Sequence, residues 1–352
     1  MIGRARLCVT VEPQPRHCNR QALTSKRRTG ERPKPNEIVI ATLPQPRAMK
    51  MSEWINPDLH RNFIAQQTDA LRLCTAPDGW VERYGVDVLI SHKTDAALER
   101  FKTELCLWAL NVDFKFRRVF ARFLPKQNAD REAPSLILGD PDTNLQSTAL
   151  ERSLCYAVDF SAGYSAGLFI DQRENRRFVR DLAPASLLNC FAYTCSFSVA
   201  AATVGAQTLS VDLSKKSLAR GRENFALNSV PTTDHRFIAD DVMAVLPRLA
   251  RKGEKFDAIV LDPPTFSRTH RGRTFQVEQD FETLLLAALE VAGRNARILL
   301  STNCSTLGER ALEVMGRFCL KATRRAGDFH RELPLPDFPP GVGAATVWLT
   351  LR

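Results

Sequence analysis

The chain has 352 residues, 44% hydrophobic and 25% charged, with a formal net charge of +10. That is core enough for one large or two modest domains, and no apolar run approaches the ~18 residues of a transmembrane helix, so no membrane partner is expected. Nine scattered cysteines with no Cys-x-x-Cys pair indicate neither a metal site nor a disulfide framework, and they fit a reducing, cytoplasmic compartment.

From the N-terminus, residues 1–51 stand apart. The first 50 hold 11 Lys and Arg against 3 acids, so only +2 of the charge belongs to the remainder. This Arg- and Pro-rich stretch has no apolar periodicity and is expected to be disordered. It reads as an RNA-tethering arm, as an organelle transit segment (its prolines oppose an amphipathic helix), or as the product of a start assigned too early, with Met49 or Met51 the true start.

Patterned sequence begins at Ser52. Residues 52–150 read as a small auxiliary α+β domain. Residues 80–90 suggest a hairpin around Gly85, residues 96–110 a helix, and residues 126–150 a loop or hairpin. In between, Lys115, Arg117, Arg118, Arg122 and Lys126 interleave with Phe114, Phe116, Phe120 and Phe123. The aromatics are expected to pack inward and the charges to face water.

Residues 151–352 alternate strands with helices. Residues 186–198 read as strand, tight loop and helix start, with Ser196 or Ser198 as the cap. A second strand, 208–212, ends in Asp212, roughly 20 residues beyond the first, the spacing of a ribose-binding carboxylate in a nucleotide-binding βαβ unit. Ser214 caps the next helix, which ends near Asn228. A third strand, 235–239, ends at Asp240-Asp241. The fourth, 256–261, runs into Asp262-Pro263-Pro264-Thr265-Phe266. The prolines stop the strand and stiffen the backbone. Asp262 therefore sits where open α/β sheets bind ligands, and with Phe266 nearby it suits holding a flat, amide-like ring.

Beyond it, Phe281, Leu284, Leu285, Ala288 and Val291 recur at helical spacing, with Gly293 as the stop. Residues 296–301 form a fifth strand leading to Asn303-Cys304-Ser305, and a Pro/Gly loop at 334–343 precedes a closing strand at 345–351. The alternation predicts a Rossmann-like, doubly wound, mostly parallel sheet. Acids at three strand ends suit a ligand rich in hydroxyl and amino groups.

Five pieces give a resemblance: Gly167-Leu168-Phe169-Ile170-Asp171-Gln172-Arg173, residues 189–198, Val211-Asp212-Leu213-Ser214, Asn224-Phe225-Ala226-Leu227-Asn228, and residues 261–267. In this order the chain resembles the class I S-adenosylmethionine-dependent methyltransferases that modify bacterial large-subunit ribosomal RNA, in the branch of the cytosine-C5 and guanine-N7 enzymes. The resemblance covers roughly residues 155–310. It implies a seven-stranded sheet with an antiparallel last strand, S-adenosylmethionine as cofactor, and RNA as partner, gripped in part by the auxiliary domain.

It also implies residue roles. The loop through Phe191, Tyr193, Thr194, Cys195 and Phe197 would run beside the methionine part of the cofactor. Asp212, followed by Leu213, would bind the ribose, and Asp241, beside Asp240, the adenine. Asp171, Gln172 and Arg173 would wall the pocket, and Asp262 would face the target base. Arg173 reads equally as a surface ion-pair partner. Cys304 matches the cysteine of cytosine-C5 enzymes, whose unreactive carbon needs a thiolate; it reads equally as a buried strand-end cysteine. The family's loop has glycine where this chain has Cys195. Either the thiol turns away or cofactor binding weakens, and Cys195→Gly is expected to tighten it.

After the fourth strand, Arg268, His270, Arg271 and Arg273 form a cluster suited to phosphates flanking a flipped nucleotide. Two functions follow: methyl transfer to an RNA base, or a non-catalytic RNA-binding or ribosome-assembly protein that kept the fold. The missing Gly-x-Gly-x-x-Gly disfavours a nicotinamide dehydrogenase.

Overall fold

The computed structural model describes residues 53–126, 131–268, 272 and 274–352. The N-terminal extension lies outside the described residues, as do His270, Arg271 and Arg273 of the basic cluster.

The N-terminal elements are α1 (Pro57–Ala65), β1 (Ala70–Ala76), β2 (Gly79–Tyr84), β3 (Asp87–His92), α2 (Asp95–Asn111), β4 (Arg118–Phe123) and β5 (Ser135–Leu138). Five strands form one sheet in the order β1-β2-β3-β4-β5. Only β3 and β4 pair in parallel, because α2 carries the chain back across the sheet. The β2–β3 hairpin turns at Gly85, whose φ of +64° suits glycine.

The basic-aromatic stretch departs from expectation. Phe114 and Phe120 are buried, but Phe123 is exposed, while Arg118 and Arg122 lie inside. Arg118 clamps Asp87 with Nε at 3.0 Å and Nη2 at 2.6 Å, and Arg122 donates to Ser91 Oγ at 2.8 Å. Strand alternation fixes this: each guanidinium shares the face of a buried polar partner. The 126–150 segment, expected as a loop or hairpin, forms no hairpin of its own among the described residues. It supplies β5 and also β6 (Gln146–Glu151), which pairs antiparallel with β7 (Leu154–Asp159).

The larger part of the fold comprises α3 (Arg173–Leu182), β8 (Ser186–Cys190), α4 (Ser196–Ala202), β9 (Gln207–Asp212), α5 (Lys215–Leu227), β10 (Arg236–Ala239), α6 (Val242–Arg251) and β11 (Phe256–Leu261). Then come the short pair β12 (Phe266–Arg268) and β13 (Thr274–Gln276), α7 (Val277–Leu289), β14 (Ala292–Thr302), α8 (Glu309–Ala322), β15 (Gly327–His330) and β16 (Ala345–Leu351). Seven strands form one sheet in the order β10-β9-β8-β11-β14-β16-β15. All pairs from β10 to β14 are parallel, and β16 is antiparallel to both neighbours. This is the expected α/β, Rossmann-like sheet with its antiparallel last strand.

Both faces are covered, so the central strands are apolar on both sides. Leu187, Ala258, Val260, Leu299 and Trp348 pack under α3 and α4. Their neighbours Leu188, Ile259, Leu261, Ile298, Leu300 and Val347 pack under α6, α7 and α8. The strand order reverses between β8 and β11, and such a switch point opens a crevice at the carboxyl ends of the strands.

Two local expectations need correction. Neither Ser196 nor Ser198 caps α4: Cys195 holds the N-cap position without a side-chain cap. Ser198 instead bridges Asn189 and Ser210 in the core. Gly293 does not stop α7, which ends at Leu289 with Glu290 as C-cap. Gly293 lies inside β14, where a Cβ would press on the Phe256 carbonyl at 3.2 Å.

Candidate active site

A cavity of about 590 Å³ opens at the switch point, within the size range of small-molecule sites. The loop after β8 supplies Phe191, Ala192, Tyr193, Ser196 and Phe197 to its lining. The end of β9 adds Asp212, Leu213 and Ser214, and the end of β11 adds Asp262 through Ser267. The far wall is Gly167, Phe169, Asp171, Gln172 and Arg176.

The loop after β8 is unusual. Phe191, Tyr193 and Cys195 all have positive φ, at 58°, 47° and 60°. Left-handed conformations cost L-residues energy and persist only where their surroundings enforce them. Here Ala192 N–H donates to Val211 O at 2.9 Å and Tyr193 N–H to Asp212 Oδ2 at 2.8 Å. Tyr193 Oη donates to Ser165 O at 2.9 Å, and Thr194 Oγ1 to Gly167 O at 2.6 Å.

Asn224 and Asn228 of α5 complete the brace. Asn224 accepts from Ala157 N–H at 2.7 Å and donates to Thr194 O at 2.8 Å. Asn228 accepts from Cys155 N–H at 2.9 Å. Four helical residues rise about 6 Å and two strand residues about 7 Å, so asparagines at i and i+4 match alternate N–H groups of β7.

Cys195 does not obstruct the cavity. Its side chain is fully buried, burial pushes the thiol up to about 12, and the sulfur lies over Gly221 of α5. Cys195 is not among the residues that line the cavity. Asp212 also fits a hydroxyl-rich ligand. Its oxygens accept from Tyr193 N–H and Ser214 N–H, at 2.8 Å each, and each keeps a second lone pair. Burial raises its pKa.

Asp262 lines the cavity and is half-buried. Ser301 Oγ donates to its Oδ1 at 2.6 Å. Desolvation raises its pKa to about 6; the Ser301 hydrogen bond and Arg176 oppose the rise and Asp171 adds to it. Burial likewise raises Asp171, which accepts from Ala344 N–H at 3.1 Å and so ties the loop before β16 to the wall. Phe266 is 53% exposed and lines the same cavity.

Other sequence candidates stand elsewhere. Arg173 does not line the cavity. It is fully buried away from the lining, where it pairs with Asp337 and lies over Phe63. Arg176 is the arginine on the cavity side, clamped by Glu151 with Nε at 2.7 Å. Thr194 and Cys195 face away as braces. Asp241 accepts from Met243 N–H at 3.0 Å as the N-cap of α6, and Asp240 pairs with Arg248; neither belongs to the lining. Cys304 is buried beside the lining residue Asn303, its sulfur 3.0 Å from Thr306 Oγ1 and 3.6 Å from Glu278 Oε1. Gln172 lines the wall as the sequence suggests, whereas Asn175, Ser301 and Trp348 carry no signal in the sequence and only the tertiary structure connects them to it.

A family model described as S-adenosylmethionine-dependent methyltransferase matches residues 116–341. The chain belongs to the S-adenosylmethionine-dependent methyltransferases. Ribosomal RNA large subunit methyltransferase I of Aeromonas salmonicida is 31% identical over 282 residues, 77% of this chain and 70% of that one. YwbD of Bacillus subtilis is 36% identical over 190 residues. The methyltransferase spans about half of YwbD's length, 48%. The solved complex of SMU.776 with SAH is 25% identical, with a TM-score of 0.71, over 84% of this chain and 78% of that one. S-adenosylmethionine is accordingly the cofactor of this methyltransferase. Among the described residues, no helix is long and apolar enough to cross a membrane.

Proposed function

We propose that this cytoplasmic methyltransferase modifies a base of large-subunit ribosomal RNA, and that Asp212 and the left-handed loop hold the cofactor while Asp262 and Phe266 hold the base. The carrying observation is that a half-buried carboxylate on a proline-stiffened turn and an exposed aromatic ring share one cavity with the Asp212 loop. S-adenosylmethionine supplies an electrophilic methyl group on a sulfonium, so the protein's task is alignment and exclusion of water.

Each residue has a physical part. Asp212 offers its free lone pairs to hydroxyl groups while fixing the Tyr193 backbone. Asp262, with Oδ1 engaged by Ser301, offers Oδ2 to an N–H of the base. Pro263 and Pro264 hold that carboxylate's direction. Phe266, half-exposed at the rim, gives a ring face for stacking, and exposed Arg268 extends the rim toward phosphate. The auxiliary domain of residues 52–150 adds RNA-contacting surface. The relatives named for ribosomal RNA support the substrate class.

Guanine N7 is favoured over cytosine C5. A C5 reaction needs a thiolate at the base, and the Cys304 sulfur faces Thr306 and Glu278 instead. N7 carries its own lone pair and needs no nucleophile.

The test is incubation with unmodified ribosomal RNA and labelled S-adenosylmethionine, followed by nucleoside mass spectrometry. Labelled 7-methylguanosine is expected, with Cys304→Ser fully active. Labelled 5-methylcytidine, lost in Cys304→Ala, would overturn the target atom. RNA binding without label would leave the non-catalytic reading.

A further inference from the structure

Asp262 is the end of a longer chain of hydrogen bonds. Ser301 Oγ, which donates to it, accepts from Gln172 Nε2 at 2.8 Å. Gln172 Oε1 accepts from Asn175 Nδ2 at 2.8 Å. Asn175 Oδ1 accepts from Trp348 Nε1 at 2.9 Å. The links come from β14, the turn before α3, α3 itself and β16. Ser301 and Trp348 are fully buried, and Gln172 and Asn175 are 2% and 4% exposed.

The indole N–H donates and cannot accept. Trp348 therefore decides the direction of every link. Asn175 must turn its oxygen to the indole and its amide N–H to Gln172. Gln172 must then turn its oxygen to Asn175 and its N–H to Ser301. With that N–H arriving, the serine hydroxyl is free to send its proton to Asp262. Amide orientations are ambiguous in isolation, but a donor-only terminus removes the ambiguity.

We propose that Trp348, Asn175, Gln172 and Ser301 form a one-way relay that makes Asp262 Oδ1 a permanent acceptor and leaves Oδ2 as the oxygen that meets the base and takes up the proton. Ser301 and Gln172 are thus positioning residues for Asp262. The base-facing half rests on the function proposed above; the one-way relay itself does not. A donor fixed on Oδ1 favours the carboxylate over the acid, against the desolvation that pushes Asp262 up to about 6. The other charged groups at Asp262 are Asp171, which raises it, and Arg176, which lowers it.

The relay can be read from its far end. The chain has four tryptophans, so the indole 15N–1H resonance of Trp348 is assignable by loss in Trp348→Phe. His330 lies 6.5 Å from the Trp348 ring and is itself titratable, so the experiment is done in a His330→Gln background. The expected result is a Trp348 indole resonance that moves with a midpoint at the Asp262 value of about 6. The movement should vanish in Asp262→Asn, Ser301→Ala and Gln172→Met, and return in Ser301→Thr, which keeps the hydroxyl. The relay is overturned if the resonance stays still as Asp262 titrates, or titrates unchanged in Ser301→Ala or Gln172→Met. No RNA is needed, so failure of the relay and failure of the methyl-transfer assay are separate results. On active enzyme, Ser301→Ala should also move the acid limb of kcat/KM to higher pH, and Ser301→Thr should restore it.

Discussion

The Cys195 thiol occupies the notch that Gly221 leaves in α5. The two positions are paired by geometry. Cys195, at φ 60° and ψ 27°, directs its side chain off the cavity wall and onto the helix. A Cβ on Gly221 would fall deep inside the sulfur's van der Waals envelope and 3.0 Å from Cys195 Cβ. Glycine in a helix interior costs about 1 kcal/mol relative to alanine, and here it creates the space that lets a cysteine stand in the loop.

Gly221→Ala should therefore destabilise the protein despite the better helix propensity. Overpacking of about 1–3 kcal/mol outweighs the propensity gain. Cys195→Gly combined with Gly221→Ala removes the clash and should recover most of the loss. Denaturant unfolding of the two single variants and the double variant gives the coupling directly. Additive effects would break the pairing.

Cofactor affinity should separate Cys195 from Asp212. Because the thiol faces α5, Cys195→Gly should change the dissociation constant for S-adenosylmethionine by less than about threefold, contrary to the tightening that the loop sequence suggests. Asp212→Ala leaves the Tyr193 and Ser214 N–H groups without their acceptor. A loss of about 1–3 kcal/mol corresponds to roughly 10–100-fold weaker binding, measurable by calorimetry.

Stability should fall as pH rises from the ordinary aspartate range to the folded value of Asp262. That value is raised to about 6 from 3.8, so within this window the native state holds a proton that the unfolded state has released, and deprotonation is penalised in the fold. Asp262→Asn removes this dependence and should stabilise the protein above pH 6 by about 1–3 kcal/mol. Thermal unfolding across the window checks both. A wild-type Tm that rises through it, with the variant parallel, would contradict the sign.

Asn224→Ala should cost about 1–3 kcal/mol, because it strands the Ala157 N–H and the Thr194 carbonyl. It should also loosen the loop it braces and weaken the cofactor, whereas Asn228→Ala, which touches Cys155 and not the loop, should lose stability alone. Unfolding and calorimetry on the same two variants distinguish these effects.

The five parallel strands and the closing strand at 345–351 were legible because a doubly covered sheet needs near-continuous apolar runs, and because Asp-Pro-Pro, Gly and Ser punctuate them, whereas the short strands β12, β13 and β15 carried no such pattern. The placing of Asp212 and Asp262 at strand ends was legible for the same local reason. The sense of Arg173 and Arg176 was not. Both are arginines on one short helix, and only the docking of Asp337 on one side and Glu151 on the other sorts them. The burial of Arg118 and Arg122 was hidden likewise, since it depends on acids and hydroxyls from other strands. Local sequence determined the sheet and its carboxylate edge, because propensity, periodicity and turn chemistry act within a few residues. Tertiary structure alone decided that Cys195 faces Gly221, and that Trp348 speaks to Asp262 through three intervening side chains. The long-range contacts among them join residues 26, 39, 129 and 173 positions apart, which no local preference specifies.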